Sequence, residues 1–352
     1  MPWYFGWGVR AAGIVLALVA CGIISSLVTG EDPIALYGAI IDGSFGSKRK
    51  IWVLLQNIAM LLCVALALTP AFKMKFWNLG GEGQALAGAL ASAACMILMK
   101  DQPQAVVITC MVVTSILAGA IWGAIPAFFK AKFGTNETLF TLMMNYVAMQ
   151  IVAYYSVVWE NPKGSGNIGV INPNSMIGWF PTVGGSKYLL NIIIVGVLTL
   201  AMYVYLKYSK QGYEIAVVGE SERTARYIGI KVDRVIMRTM IISGAICGYA
   251  GLLLGGGTNH TLNADIVDGR GFTAVMVAWL AKFNPIWMIF TSFLLVFLGR
   301  GAGEIATDFG LNQAFGDILT GLILFFIIGC EFFINYKISF RKKTKEEGKT
   351  NV

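Results

Sequence analysis

Runs of about twenty apolar residues recur along almost the whole of this 352-residue chain. At 1.5 Å per helical residue, each is long enough to cross a hydrocarbon core of about 30 Å. Ten stretches qualify as candidates: 11–29, 51–69, 78–99, 105–129, 137–158, 189–206, 235–256, 264–283, 286–298 and 315–333. In lipid the backbone must satisfy its own hydrogen bonds, so runs of this length predict helices and an all-α polytopic membrane protein. The chain is 57% hydrophobic and only 13% charged, about half the charge a soluble domain carries. No connection between runs is long enough for a separate soluble domain, which excludes a soluble enzyme.

The eighth stretch is the exception. Its apolar part, from Gly271 to Leu280, rises only about 15 Å as a helix, half the required thickness. It either starts near Ala264, with Asp265, Asp268 and Arg270 in a watery cavity, or re-enters without crossing. Near the N-terminus, Leu18-Val19-Ala20-Cys21 resembles a lipoprotein cleavage box, but the apolar run continues past Cys21 and reads as an uncleaved first span.

The chemistry inventory narrows the function. There is no G-x-x-x-x-G-K-[ST] phosphate loop, so ATP hydrolysis is not expected on this chain. The single histidine, His260, supports neither a metal constellation nor a catalytic triad, and reads as a loop residue. Six widely spaced cysteines inside apolar runs read as small hydrophobes. Gly269-Arg270-Gly271 with Ala274 is a partial dinucleotide fingerprint, but it follows no strand. No cofactor, metal site or nucleic-acid partner is expected.

The formal charge of +8 is distributed like that of a membrane protein. With the N-terminus placed inside, 19 of the 27 Lys and Arg residues fall on the cytoplasmic side and 8 outside. Seven of the 19 lie between Lys207 and Arg238, and six follow the last span in a basic tail at 337–352. Ten spans bring the C-terminus back to the cytoplasm. The outside cluster Lys48, Arg49 and Lys50 runs against the bias. Trp52, Trp77, Trp159 and Trp287 fit an aromatic belt at the interfaces.

Polar side chains inside spans are costly and mark function or helix–helix contact. The densest group is Asn78-Leu79-Gly80-Gly81-Glu82-Gly83-Gln84. Asn78 and Glu82 share a helical face, and three glycines in four residues let another backbone or a ligand approach. This segment is either a site or gate element, or a close-packed turn in which Glu82 is merely paired. The second group opens the fifth run. Glu137, Thr141 and Asn145 stand four apart on one face, with Thr135 as the expected cap and Glu137 complementing the helix dipole. In the seventh run Thr239, Ser243 and Cys247 repeat that spacing among Gly244, Gly248 and Gly251, a pattern for small-residue helix packing.

The stretch from Gly219 to Gly229 reads as a two-turn cytoplasmic helix. Ser221 caps it, Glu222 sits in its first turn and Gly229 ends it. It either obeys the positive-inside rule or docks a cytoplasmic partner.

At these residues the sequence resembles permease subunits of bacterial ABC importers in the branched-chain amino acid/ribose permease superfamily, in the nucleoside and simple-sugar branch. The branch's F-N-I-G-x-E-G-Q stretch is similar to Phe76-Trp77-Asn78-Leu79-Gly80-Gly81-Glu82-Gly83-Gln84. Its T-N-E-V-x-x-T-L-M-L-N-Y stretch is similar to residues 135–146, which include Glu137, Thr141, Asn145 and Tyr146. Its cytoplasmic N-P-x-A-A-R-Y-x-G-I stretch is matched by Ser221-Glu222-Arg223-Thr224-Ala225-Arg226-Tyr227-Ile228-Gly229-Ile230, and Gly269-Arg270-Gly271-Phe272-Thr273-Ala274 with Asn284-Pro285 matches a fourth. The match covers roughly residues 30–335. Trp77, Gly81, Ser221-Glu222, Trp279 and Ala281 depart from the branch's pattern, which leaves the ligand more open than the family.

The resemblance implies about ten helices in two inverted repeats, with broken or re-entrant segments at 78–84 and 269–280 near the midplane. It implies a bacterial inner-membrane subunit with both termini cytoplasmic. Its partners are then a second permease (the same chain or another), a cytoplasmic ABC ATPase carrying ATP and magnesium, and an extracellular substrate-binding lipoprotein. Asn78, Glu82, Gln84, Glu137, Thr141, Asn145, Phe272 and Thr273 are then candidates for the solute path. Glu220, Ser221, Arg223, Thr224, Ala225, Arg226, Tyr227 and Gly229 are candidates for contact with the ATPase, in a coupling loop at 207–234. The expected solute is a nucleoside; a pentose or hexose, or an ion-coupled secondary carrier working through Glu82 or Glu137, are the alternatives.

Overall fold

The computed structural model describes residues 3–30 and 33–335, so the basic tail expected at 337–352 lies outside the described residues. Helices follow one another along the chain: α1 (Trp3–Thr29), α2 (Pro33–Phe45), α3 (Lys48–Lys73), α4 (Gly81–Leu98), α5 (Gln104–Phe133), α6 (Glu137–Val158) and α7 (Leu189–Tyr208). Then come α8 (Lys210–Glu220), α9 (Glu222–Tyr227), α10 (Val232–Leu254), α11 (Arg270–Leu280), α12 (Pro285–Asp308) and α13 (Gln313–Asn335). No strand occurs among the described residues, and seven of the helices are long and apolar enough to cross a membrane.

The chain divides into two units, one built from residues up to Gly46 and from Leu298 onward, the other from Ser47 to Phe297. In the first, α1 packs on α13, and the Tyr37 hydroxyl donates to the Leu18 carbonyl at 2.6 Å. The Arg300 guanidinium donates to the Gly43 carbonyl at 3.2 Å.

The second unit holds every candidate site residue. Its centre is α3, α4 and α10. From Ala59 to Ala71, every residue of α3 is buried, so this helix is apolar all round for the reason expected of a core helix. Glycines set the distance between α10 and its neighbours. A methyl group on Gly248 would collide with the Ser115 carbonyl of α5, and one on Gly88 of α4 would collide with the Gly248 backbone. The small residues of the seventh run therefore pack helices, with Ser243 and Cys247 buried in that contact.

Two helices fall where the hydropathy pattern shows none. α2 has only 13 residues, and α8 lies within the basic stretch. α8 forms because it has a core to cover: Ile215 and Val218 are buried with Ala71, Met74, Ala127 and Val235. Gly219 lies so close to the Lys73 carbonyl that a side chain there would clash. The short eighth element begins at Arg270 and does not reach back to Ala264. Asp268 (φ 59°) and Gly269 (φ 65°) adopt left-handed backbone that a helix cannot continue through.

α10 ends in one π-helical turn, Gly255–Asn259, which is closed by the His260 amide donating to the Gly255 carbonyl at 2.7 Å. The segment between α6 and α7 folds back over this turn. The Ile171 amide donates to the His260 carbonyl and the Phe180 amide to the Gly256 carbonyl.

Candidate functional site

α4 starts at Gly81, inside the protein rather than at its surface, because the segment before it turns back on itself. The Asn78 and Leu79 amides donate to the carbonyls two residues earlier, and Gly80 precedes the first helical residue. A helix that starts in the interior leaves amides that water cannot reach, and each needs a partner. The Asn78 Oδ1 accepts from the Gly80 amide at 3.0 Å, and Asn78 and Gln84 exchange side-chain hydrogen bonds at 3.2 and 3.4 Å. Asn78 Nδ2 also donates to Ser243 Oγ of α10 at 3.2 Å.

α6 supplies further partners. Asn145 Oδ1 accepts from the Gly83 amide at 2.8 Å, while its Nδ2 donates to the Leu79 carbonyl at 2.8 Å. Thr141 Oγ1 accepts from the Leu79 amide at 3.2 Å. Asn78, Gln84, Thr141 and Asn145 are all at most 1% exposed. The structure thus brings these four together as one satisfied network around the start of α4. Its chemistry is that of a brace. Every hydrogen bond named is to another part of the protein.

Glu82 points the other way, to α11. Its carboxylate accepts from the Gly269 amide at 3.1 Å and the Gly271 amide at 2.7 Å, and the residue is 1% exposed. An anion at the exposed amides of a helix start complements both the donors and the helix dipole. Gly271 has no room for a side chain, since an added Cβ would lie against the Glu82 backbone and carboxylate. Two interior helix starts, α4 and α11, are therefore joined by one carboxylate. At the other end of α11, Trp279 stacks on Trp77 with ring centroids 5.5 Å apart, and Phe72 and Phe283 pack on the pair. The two tryptophans that depart from the family pattern are in contact.

The other path candidates lie apart from this network. Glu137 forms an ion pair with Lys130 at 2.8 Å, closing the short turn between α5 and α6. The cap of α6 is Asn136, whose side chain accepts from the Leu139 amide at 3.2 Å, and not Thr135, which stands one residue before the cap position. Phe272 is 41% exposed on α11, and Thr273 Oγ1 donates back to the Gly269 carbonyl at 3.3 Å.

Sequence reading passed over a second polar knot. Gln56 Nε2 of α3 and Asn191 Nδ2 of α7 both donate to Thr258 Oγ1 of the π-helical turn, at 2.7 and 3.1 Å. The signal was Gln56, beside Asn57, in one apolar run and Asn191 in another. Nearby, His260 stacks face to face on Trp179 with centroids 3.9 Å apart. Burial, reinforced by the charge of Lys187, pushes its imidazole down to about 4.

On the other side of the unit, α9 is a single capped turn. Ser221 Oγ accepts from the Thr224 amide at 3.2 Å, and Gly229 (φ 88°) ends the turn. Ala225 is fully buried against α8 and α10, while Glu220, Arg223, Thr224, Arg226 and Gly229 are exposed and Tyr227 is 92% exposed. Arg226 pairs with Asp233 at 2.9 Å on the surface. Apart from the Arg226–Asp233 pair, the outer side of α9 faces away from the rest of the unit.

With the geometry in place, comparison with known proteins is informative. The family model described as "Branched-chain amino acid transport system / permease component" matches residues 51–328. The nucleoside ABC transporter permease protein NupB of Lactococcus lactis is similar, with 28% identity over 87% of this chain and 86% of that protein. The guanosine ABC transporter permease protein NupP of Bacillus subtilis shows 29% identity over 89% of this chain and 90% of its own length. The glucose ABC transporter permease protein TsgB13 of Haloferax volcanii shows 26% over 92% and 88%.

Proposed function

This chain belongs to the family of branched-chain amino acid transport permease components, and from that premise we propose that it is the membrane-spanning subunit of an ATP-driven importer of nucleosides. It is a multi-pass membrane protein and a transport subunit rather than an enzyme. The observation that carries the proposal is the pairing of an interior helix start, braced by neutral amides and hydroxyls, with a short, capped and exposed turn at α9. The brace suits a gate that moves as a unit. The turn suits a groove in a partner that hydrolyses ATP, since this chain has no phosphate loop.

In this reading the segment 78–84, with Thr141 and Asn145, is the gate element of the path, and Glu82 ties it to the start of α11. Phe272 and Thr273 lie at the path's edge, and Glu137 holds the turn below it. The residues Glu220, Ser221, Arg223, Thr224, Ala225, Arg226, Tyr227 and Gly229 form the coupling element that rests on the ATPase. ATP and magnesium belong to that ATPase. A second permease, the same chain or a close relative, and an extracellular binding lipoprotein complete the assembly. The concentration of Lys and Arg around α8 and α9 supports the reading that this side, and both termini, face the cytoplasm at a bacterial inner membrane.

A nucleoside is favoured because two of the three relatives named above transport nucleosides by title, and because the gate is uncharged apart from the paired Glu82. The glucose permease relative favours a simple sugar as the second reading. Uptake of labelled adenosine, guanosine, ribose and glucose by the reconstituted assembly decides between them. ATP-dependent nucleoside uptake is expected, and uptake of sugar alone overturns the first reading.

A further inference from the structure

The gate uses one face of α6, and the opposite face is left without a partner. Tyr146, Gln150 and Tyr154 stand four residues apart on that outer face. Tyr146 is 56% exposed, Tyr154 is 65% exposed, and Gln150 between them is exposed as well. Together with Val147, Ile151 and Tyr155 they line a shallow cleft along the helix. Tyr155 packs edge-to-face on Tyr154 and at a tilt on Trp159, with centroids 5.4 and 4.8 Å away, so the aromatic surface continues to the end of the helix. None of the three leading side chains makes a hydrogen bond among the described residues.

Gln150 lies about 20 Å from the start of α6 and about 12 Å from its end, well inside a helix that crosses the membrane. A primary amide there cannot face hydrocarbon without leaving two donors and an acceptor unsatisfied. The outward face of α7 shows what a lipid-facing surface in this protein looks like. Its exposed residues between Leu189 and Val204 are Ile193, Gly196, Val197, Leu200, Ala201 and Val204, with no hydrogen-bonding side chain. α6 differs from α7 because the middle of its open face carries hydrogen-bonding groups on three successive turns, Tyr146, Gln150 and Tyr154.

We infer that the Tyr146–Gln150–Tyr154 face of α6 lines the water-filled solute path and contacts the nucleobase of the passing solute. This rests on the nucleoside reading and adds to it the surface that recognises the ligand. The chemistry is suited to a neutral, planar, hydrogen-bonding ring. Phenol rings offer stacking faces, and one amide offers a donor and an acceptor side by side, the pattern of a base edge. The face bears no charge, so each contact is weak enough to release the solute.

The test uses the complete assembly in proteoliposomes with Gln150→Cys, and Val197→Cys on α7 as the lipid-facing control. A charged, water-soluble thiosulfonate should label the thiol introduced at position 150 at least tenfold faster than the one at 197. Adenosine should slow that labelling severalfold, and glucose should not. The six native cysteines are buried or half-buried and set the background. Labelling no faster than at position 197 overturns the inference. So does oxidative crosslinking between two introduced thiols without labelling, because that makes the face a contact between permease copies. Adenosine uptake by the unmodified assembly with no protection at position 150 overturns this inference alone. Glucose uptake with protection by glucose overturns the nucleobase assignment together with the nucleoside reading. Should Gln150→Cys fail to assemble, Tyr154→Leu replaces it: a severalfold rise in KM for adenosine is expected, and an unchanged KM overturns the contact.

Discussion

The proposed gate segment and the proposed coupling turn carry similar residues, a few polar groups near glycines, yet they are built on opposite terms. Around the start of α4, the polar side chains are almost wholly buried and each has its hydrogen bonds filled by the protein. On α9 only Ala225 is buried, and Tyr227 is 92% exposed with no hydrogen bond to another part of the chain. Polar groups of the first kind hold the fold, and removing one leaves its partner stranded. Groups of the second kind cost the isolated chain little to change. Stability and function should therefore separate: the gate residues move both, the coupling residues only the second.

The sharpest break of this contrast is Asn145→Ala. It strands the Gly83 amide and the Leu79 carbonyl, each bonded at 2.8 Å in a buried site. At about 1–3 kcal/mol per stranded buried group, the expected loss is several kcal/mol, read as a clear fall in Tm of the detergent-purified protein. An unchanged Tm would mean that the network is not a brace. Glu82→Gln is the next largest. A carboxylate accepts from both the Gly269 and Gly271 amides, but a carboxamide turns an NH2 toward one of them. About 1–3 kcal/mol of stability and a severalfold drop in uptake are expected, with Glu82→Asp recovering less of either than the wild type because its reach is shorter.

The segment around His260 follows the same rule as the start of α4 on a smaller scale. His260 is buried against Trp179, and its imidazole is pushed down to about 4 from an ordinary value near 6.5. The folded protein therefore keeps this ring neutral, while the unfolded chain takes up a proton below pH 6.5. The stability it contributes is complete above pH 6.5 and is lost as the pH falls from 6.5 toward 4. Between pH 7 and 5.5 the loss is about 1 kcal/mol. His260→Gln should flatten that part of the pH–Tm profile, and a profile unchanged by the substitution contradicts the assignment.

How much of this could be read from the chain follows the same division. The apolar runs announce helices because lipid permits little else. The Ser221 cap and the Gly229 stop are local, encoded within three or four residues, and the structure has both. What was hidden depends on distant partners. α8 has too polar a sequence to register as a helix on hydropathy, and forms because Ile215 and Val218 meet α3, α5 and α10. Glu82 was legible as a buried oddity, but nothing nearby in sequence says that its partners are the amides of residues 269 and 271, nearly two hundred positions away. Likewise the stripe of Thr141 and Asn145 was legible as polar. Its bracing role became visible only once the Leu79 and Gly83 backbones were seen against it. The spacing of a helix tells which side chains share a face, not what that face meets.

The smallest effect on stability belongs to the coupling turn, and there the contrast is most exposed to refutation. Tyr227→Ala removes a ring that is 92% exposed, so the stability should stay within about 0.5 kcal/mol of the wild type and the Tm should barely move. Arg226→Glu breaks only a surface pair with Asp233 that is about half exposed on both sides, worth at most about 1 kcal/mol. If α9 rests in a groove of the ATPase, both variants should still fold and insert, yet lose most co-purification with the ATPase and most ATP-driven uptake. Equal losses of Tm and of uptake would make α9 one more structural turn. Ala225→Asp provides the internal comparison. Placed in the buried cluster with Ile215 and Val218, its charge should lower stability and coupling together, because it unseats the mount rather than the contact surface.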